Sequence, residues 1–205
     1  MSFKALFDFE AALAKYTGAP YCVLTDGCTH ALELCLRYEK PKVVVLPKYT
    51  YLSVPMLLHN LKIPYTFVEK DDIIEYRHPN SWRGEYKIEL TNIWDSARRL
   101  RPKMYMAGQF QCLSFGWGKP IQLGRVGAIL TDSWHAYQTF SRQRSDGRDL
   151  HVAPWHVETN YSPGFHYCPT LELCEKGLEL LVAYEPKEEL GWESYPDCSK
   201  IKIIS

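Results

Sequence analysis

Four short segments carry residues whose types and spacing could do chemistry. Thr25-Asp26-Gly27-Cys28-Thr29-His30 follows an apolar run and precedes an amphipathic one. Between a strand and a helix, it would turn the first helical N–H groups outward beside the Thr29 hydroxyl. That geometry accommodates a phosphate, although the same pattern describes an ordinary capped turn. Asp95 ends the apolar pair Ile93-Trp94. A carboxylate there can hold a cation such as a protonated ring nitrogen, or pair with Arg98 or Arg99. Cys112-Leu-Ser-Phe-Gly-Trp-Gly-Lys119 brings Ser114 and Lys119 to a turn rich in glycine and aromatics. Phe115, Trp117 and Pro120 would desolvate the amine and ready it for a Schiff base; a lysine lying over Trp117 is the alternative. In Pro47-Lys-Tyr-Thr-Tyr51, the aromatic could stack on a flat ring or fill core.

These segments need a scaffold, and the chain supplies one. The 205 residues carry 24 Lys+Arg against 24 Asp+Glu, with 46% hydrophobic residues. This length predicts a single domain over 1–205. Balanced charge gives no reason to expect nucleic acid or an anionic membrane as partner. No apolar run is long enough to span a bilayer. Met1-Ser-Phe-Lys-Ala has no basic-then-apolar leader pattern, so a cytoplasmic protein is expected. The seven cysteines include no C-x-x-C pair, which argues against a disulfide framework or a zinc site and leaves them as small buried hydrophobes. His151 and His156 lack ligand spacing, so no metal is expected. No G-x-S-x-G elbow is present.

Periodicity predicts helices over 3–16, 31–38, 55–61 and 132–144, and one after Pro169 carrying Leu171, Cys174, Leu178 and Leu181 on one face. Strands are expected over 21–24, 43–46, 65–68, 86–94, 112–115 and 127–130, with a terminal one at Lys200-Ile-Lys-Ile. Residues 70–86 read as a loop. Alternation of strand and helix predicts an α/β fold with a mostly parallel central sheet flanked by helices. In such sheets ligands bind beyond the carboxyl ends of the strands, where all four segments would fall.

Taken in order, the segments resemble the DegT/StrS-type sugar aminotransferases, a family of fold type I pyridoxal-phosphate enzymes. Phe9-Glu-Ala-Ala-Leu-Ala-Lys-Tyr-Thr-Gly18 is similar to that family's opening helix, and Gly27-Cys-Thr-His-Ala-Leu32 to its S-G-T-x-A-L phosphate turn. Leu46-Pro-Lys-Tyr-Thr-Tyr51 is similar to P-x-x-T-[FW], and Asp95-Ser-Ala-Arg98 to D-A-A-[QH]. Leu113-Ser-Phe-Gly-Trp-Gly-Lys119 is similar to F-S-F-x-x-x-K, and Gly124-Arg-Val-Gly-Ala-Ile-Leu to G-E-G-G-A-[IV]-[VL]. Asn160-Tyr161 resembles the start of N-Y-R-M.

The resemblance implies the large-domain fold of these enzymes and pyridoxal phosphate as cofactor. It makes Lys119 the Schiff-base lysine and Asp95 the partner of the pyridine nitrogen. Cys28, Thr29 and Ser114 would hold the phosphate, Tyr51 would stack on the ring, and Arg98 stands where the family has glutamine or histidine near the phenolic oxygen. Asn160 would reach the neighbouring subunit's cofactor in a homodimer with a shared site. The implied reaction is transamination between an amino donor and a keto sugar, which the resemblance implies is nucleotide-linked. One strand–helix unit between Val68 and Asp95, and most of a C-terminal small domain, have no counterpart. The second reading is therefore a dimer that binds the cofactor or regulates, without turnover.

Overall fold

The structure is a computed structural model that describes residues 2–69, 84–152, 155–189, 191–192 and 194–204. Among the described residues, five α-helices and seven strands follow in the order α1 (Lys4–Thr17), β1 (Tyr21–Thr25), α2 (Cys28–Glu39), β2 (Val44–Pro47), α3 (Ser53–Asn60), β3 (Tyr65–Val68), β4 (Tyr86–Lys87), β5 (Ile93–Asp95), β6 (Phe110–Ser114), β7 (Gly127–Thr131), α4 (Trp134–Gln143) and α5 (Leu171–Val182). Residues 70–83, most of the loop expected at 70–86, lie outside the described residues.

Five strands pair in the order β1-β7-β6-β5-β4, and β2 pairs with β3. An antiparallel bridge from Val45 to Glu89 joins the two groups. The sheet is mixed. The β2–β3 and β5–β6 ladders are parallel, whereas β1–β7, β6–β7 and β4–β5 are antiparallel. Strand direction still follows the expected pattern, because β1, β2, β3, β5 and β6 run one way and β4 and β7 run against them. The connection 115–126 contains no helix, so the chain cannot cross over and β7 returns antiparallel to β6.

Two sequence expectations need correction. The strand expected over 86–94 is a hairpin. Leu90 takes a φ of 69°, the left-handed region. Thr91 closes the turn, its hydroxyl donating to Ile88 O at 2.6 Å and accepting from Ile93 N at 3.0 Å. The terminal strand does not form either. A short 3₁₀ turn spans Cys198–Lys200, capped by Asp197 Oδ1, and 201–204 pairs with no strand.

Alternation of side chains along the strands builds two cores. Val23, Cys112 and Ile129 face α2, α3 and α4, while Cys22, Leu24, Leu113, Ala128 and Leu130 face α1 and α5. The helix α1 buries Leu6, Phe9, Glu10, Leu13 and Thr17, a single stripe at helical spacing, and Gly18 ends it at φ 79°. A buried ion pair fastens this layer. Glu10 binds Arg144 and also accepts the Leu24 N–H at 2.7 Å, while Arg144 donates to Leu24 O at 2.8 Å. The opening helix, β1 and the end of α4 are thereby tied at one point.

A second buried carboxylate makes stability depend on pH. Glu85 accepts the Ser96 hydroxyl at 2.6 Å and lies 3.5 Å from Arg99 Nε. Burial outweighs both and pushes its carboxyl up to about 7. Its folded value exceeds its unfolded one, so the contribution is complete below the unfolded value and is lost as pH rises through 7. The shift corresponds to about 3 kcal/mol. The wild type should therefore lose stability between pH 5 and pH 8. Glu85→Gln should flatten that slope in denaturant titrations; an unchanged slope would assign the dependence elsewhere.

Candidate functional site

The carboxyl ends of four co-directional strands converge, and they end at Thr25, Pro47, Asp95 and Ser114. Beyond them opens a cavity of about 460 Å³, within the range of small-molecule sites. Cys28, Thr29, Tyr51, Asp95, Arg98, Ser114 and Lys119 all line it. Of the eight site residues expected from sequence, only Asn160 lies elsewhere. Its side of the chain is exposed, and its carbonyl accepts from Arg142 Nη1 at 3.0 Å.

One wall is the amino end of α2. Gly27 is the cap residue and has no side chain to satisfy the helix's leading N–H groups. Thr29 Oγ1 meets Ser53 Oγ at 2.8 Å, so two hydroxyls stand beside those donors. The Cys28 thiol points inward, 3.6 Å from Cys112 O, and burial pushes it well above its usual range. Cys28 thus offers this wall its backbone, not a reactive sulfur. Gly127 permits the close approach of the turn to β7, since a Cβ there would lie 2.4 Å from Cys28 N.

The floor is Asp95, 2% exposed. One carboxylate oxygen accepts the Ala97 N–H at 3.0 Å and the other the Tyr86 hydroxyl at 3.1 Å. The Tyr86 hydroxyl also lies 2.6 Å from Thr50 Oγ1. Burial pushes the Asp95 carboxyl above the ordinary range, against the charges of Lys119 and Arg98 and the two hydrogen bonds. An anion so placed gains from a cation brought into the cavity beside it.

Lys119 enters from the glycine-rich loop after β6. Gly118 and Gly124 have φ of 72° and 82°, and Trp117 packs over Gly124, where a Cβ would lie 3.2 Å from the indole. The lysine does not lie over Trp117, which is 78% exposed. Its Nζ donates instead to the Tyr195 hydroxyl at 2.9 Å. Arg98 does not pair with Asp95; its guanidinium sits 4.3 Å from the Tyr195 ring centroid and donates to Gly191 O. Tyr51, 54% exposed, holds the rim with its ring 5.6 Å from that of Tyr195.

Sequence reading missed Ser53, Tyr86 and Tyr195. Ser53 lies two residues past Tyr51 and was within reach of the motif. Tyr195 had no local signal, because it meets Lys119 across 76 residues, and Tyr86 faces Asp95 only because the stretch read as one strand folds back as a hairpin. Chemically the arrangement combines a primary amine, a buried carboxylate, an anion-binding helix end and an aromatic wall. Among the described residues, no three His, Cys, Asp or Glu side chains gather as a metal would need. No described helix is long and apolar enough to cross a membrane.

Comparison with known proteins agrees with the motif order. Residues 2–73 match the DegT/DnrJ/EryC1/StrS aminotransferase family. No curated protein matches the chain. The fold is that of pyridoxal-phosphate-dependent aminotransferases. It is similar to Helicobacter pylori PseC, an aminotransferase involved in the biosynthesis of pseudoaminic acid. The TM-score is 0.68 at 15% identity, over 87% of this chain and 57% of that one. The putative sugar aminotransferase Spr1654 from Streptococcus pneumoniae, solved in its PMP form, gives 0.65 at 18% identity, over 88% and 59%. A GDP-4-keto-6-deoxymannose-3-dehydratase with a trapped PLP-glutamate geminal diamine gives 0.66 at 15%, over 88% and 61%. The chain spans less than two thirds of the length of these proteins. The family match covers residues 2–73, the first third of the chain, and the chain as a whole is similar in fold to these solved enzymes.

Proposed function

We propose that this chain binds pyridoxal phosphate in the cavity and works as a sugar aminotransferase, exchanging an amino group between a donor such as glutamate and a nucleotide-linked keto sugar. The observation that carries this reading is the convergence of Lys119, Asp95 and the open amino end of α2 on one cavity. These residues fit the cofactor's three polar ends: an amine for its aldehyde, a buried carboxylate for its basic ring nitrogen, and uncapped N–H groups with hydroxyls for its phosphate.

When bound, pyridoxal phosphate supplies an aldehyde that condenses with amines and a ring that accepts electrons from the carbon so attached. The N–H groups of Cys28 and Thr29, with the hydroxyls of Thr29, Ser53 and Ser114, bind the phosphate and fix the ring's position. Asp95 keeps a proton on the ring nitrogen through its charge, which is undiluted by water at this depth. Tyr51 covers the ring's open face. Lys119 would hold the cofactor through its amine, and that amine, when free, would move a proton at the donor's α-carbon.

Adding pyridoxal phosphate should give a visible absorption band. Glutamate should then convert it, and a nucleotide-linked keto sugar should restore it. Absence of a band at saturating cofactor sinks the reading. A cofactor-binding dimer without turnover is the weaker reading, since the proton-carrying amine and the ring-nitrogen partner both reach the cavity.

The shared homodimer site is part of the proposal, resting on Asn160 being exposed and outside its own chain's cavity. Mixing Asn160→Ala with Lys119→Ala chains should then create dimers with one intact site and restore part of the activity. No recovery, with subunit exchange verified, would confine Asn160 to its own subunit.

A further inference from the structure

Residues 191–192 and 194–198 flank the cavity, whose wall includes Tyr195, and are fastened at both ends. At one end Trp192 is buried edge-on against Tyr86, with ring centroids 4.8 Å apart, and Gly191 O accepts from Arg98. At the other end Cys198 N donates to Lys48 O at 2.8 Å, the Cys198 thiol to Thr50 O at 3.3 Å, and Tyr49 bridges to Asp197. The strap is thus pinned to the loop that carries Tyr51 and to the tyrosine that holds Asp95. Between the two anchors stands Tyr195. Its backbone N–H donates to Trp192 O at 3.0 Å, its ring packs against Arg98, Tyr51 and Trp192, and its hydroxyl receives the Lys119 amine at 2.9 Å.

We propose that Tyr195 is a catalytic residue of this site, whose hydroxyl receives and aims the Lys119 amine whenever that amine is not joined to the cofactor. A lysine side chain has four rotatable carbons, and a proton carrier must return to one place over the reacting carbon. The strap supplies that place from a ring that a cation and two aromatic rings pack against. No bond is made or broken at Tyr195: it accepts one N–H of the amine, and the proton moved in the reaction travels on Lys119. The inference rests on the proposed function for its chemistry, while the Tyr195–Lys119 contact exists in the chain without cofactor.

The test compares wild type with Tyr195→Phe in two measurements. In the cofactor-free protein, acetic anhydride labels amines, and mass spectrometry reads Lys119 against exposed Lys4 as internal standard. Removing the acceptor should speed Lys119 labelling by about 2- to 10-fold relative to Lys4, as loss of one hydrogen bond predicts. In the loaded protein, glutamate should convert the visible band at least about 10-fold more slowly, with the borohydride-trapped cofactor still found on Lys119. Tyr195→His keeps a ring and an acceptor and should recover part of both effects; Tyr195→Leu, which also lacks the acceptor, takes the place of the Phe variant if that one does not fold. Unchanged labelling and unchanged conversion in the variant that lacks the acceptor, Phe or, where only that one folds, Leu, would overturn the proposal. If wild type takes up no cofactor, the function reading fails, and the labelling ratio still decides whether Tyr195 holds Lys119.

Discussion

Lys119→Ala is expected to abolish the visible band and to lower amino-group exchange by at least about 10³-fold. Two separate contributions disappear together. The nucleophile that carries the cofactor is lost, and so is the amine that moves the proton, a loss alone worth roughly 10²- to 10⁴-fold. The fold should survive, because Lys119 sits in a loop built by Gly116, Gly118 and Gly124 and is only half-buried. Cofactor should still bind, since the α2 end and Asp95 are untouched, so after borohydride ultrafiltration should recover it free of the protein, its aldehyde reduced to the alcohol. Removing this cation also removes the charge that most opposes the burial of Asp95. The Asp95 carboxyl should move further up, and cofactor binding in this variant should weaken at higher pH than in wild type as acid is added. Exchange within 10-fold of wild type would show that another amine does the work.

Asp95→Asn should be the second largest lesion, with exchange reduced by at least about 10²-fold and the fold intact. An amide has nearly the shape of the carboxylate and can still accept the Ala97 N–H. The Tyr86 hydroxyl now donates to Asp95 at 3.1 Å and could instead accept from the amide, with Thr50 on its other side able to reverse its own role. The amide has no charge, so nothing keeps the ring nitrogen protonated, and removal of the α-proton slows. A neutral group also costs less to bury than a carboxylate whose burial already raises its titration. Thermal stability at neutral pH should therefore be no lower than wild type. The readouts separate cleanly: label on Lys119 persists while the glutamate-driven change of the band slows. Unslowed conversion would remove Asp95 from the mechanism.

The site was legible wherever chemistry stands at the end of an apolar run. Thr25, Pro47, Asp95 and Ser114 each close a strand, and Cys28, Tyr51 and Lys119 follow within a few residues. Local pattern therefore located them, and motif order joined them. What stayed hidden was held by long-range contact or by unusual backbone. Leucine seldom takes a positive φ, so a hairpin turning on Leu90 reads as continuous strand. The direction of β7 depends on a helix being absent from 115–126, and the glycines there mark turns without stating which way the chain returns. Tyr195 meets Lys119 across 76 residues, and Arg144 meets Glu10 across 134. No periodicity reports such pairs. The alternative placed on Lys119, a side chain lying over Trp117, failed for the same reason: its true partner is the distant strap.

The proposed reaction depends on a Schiff base at Lys119, and one measurement reaches it directly. The protein is incubated with pyridoxal phosphate, reduced with borohydride, digested, and its peptides mapped by mass. The predicted result is one reduced cofactor per chain, on the peptide containing Lys119, retained in Asp95→Asn and absent from Lys119→Ala. Label on a different lysine, or no label at saturating cofactor, would contradict it.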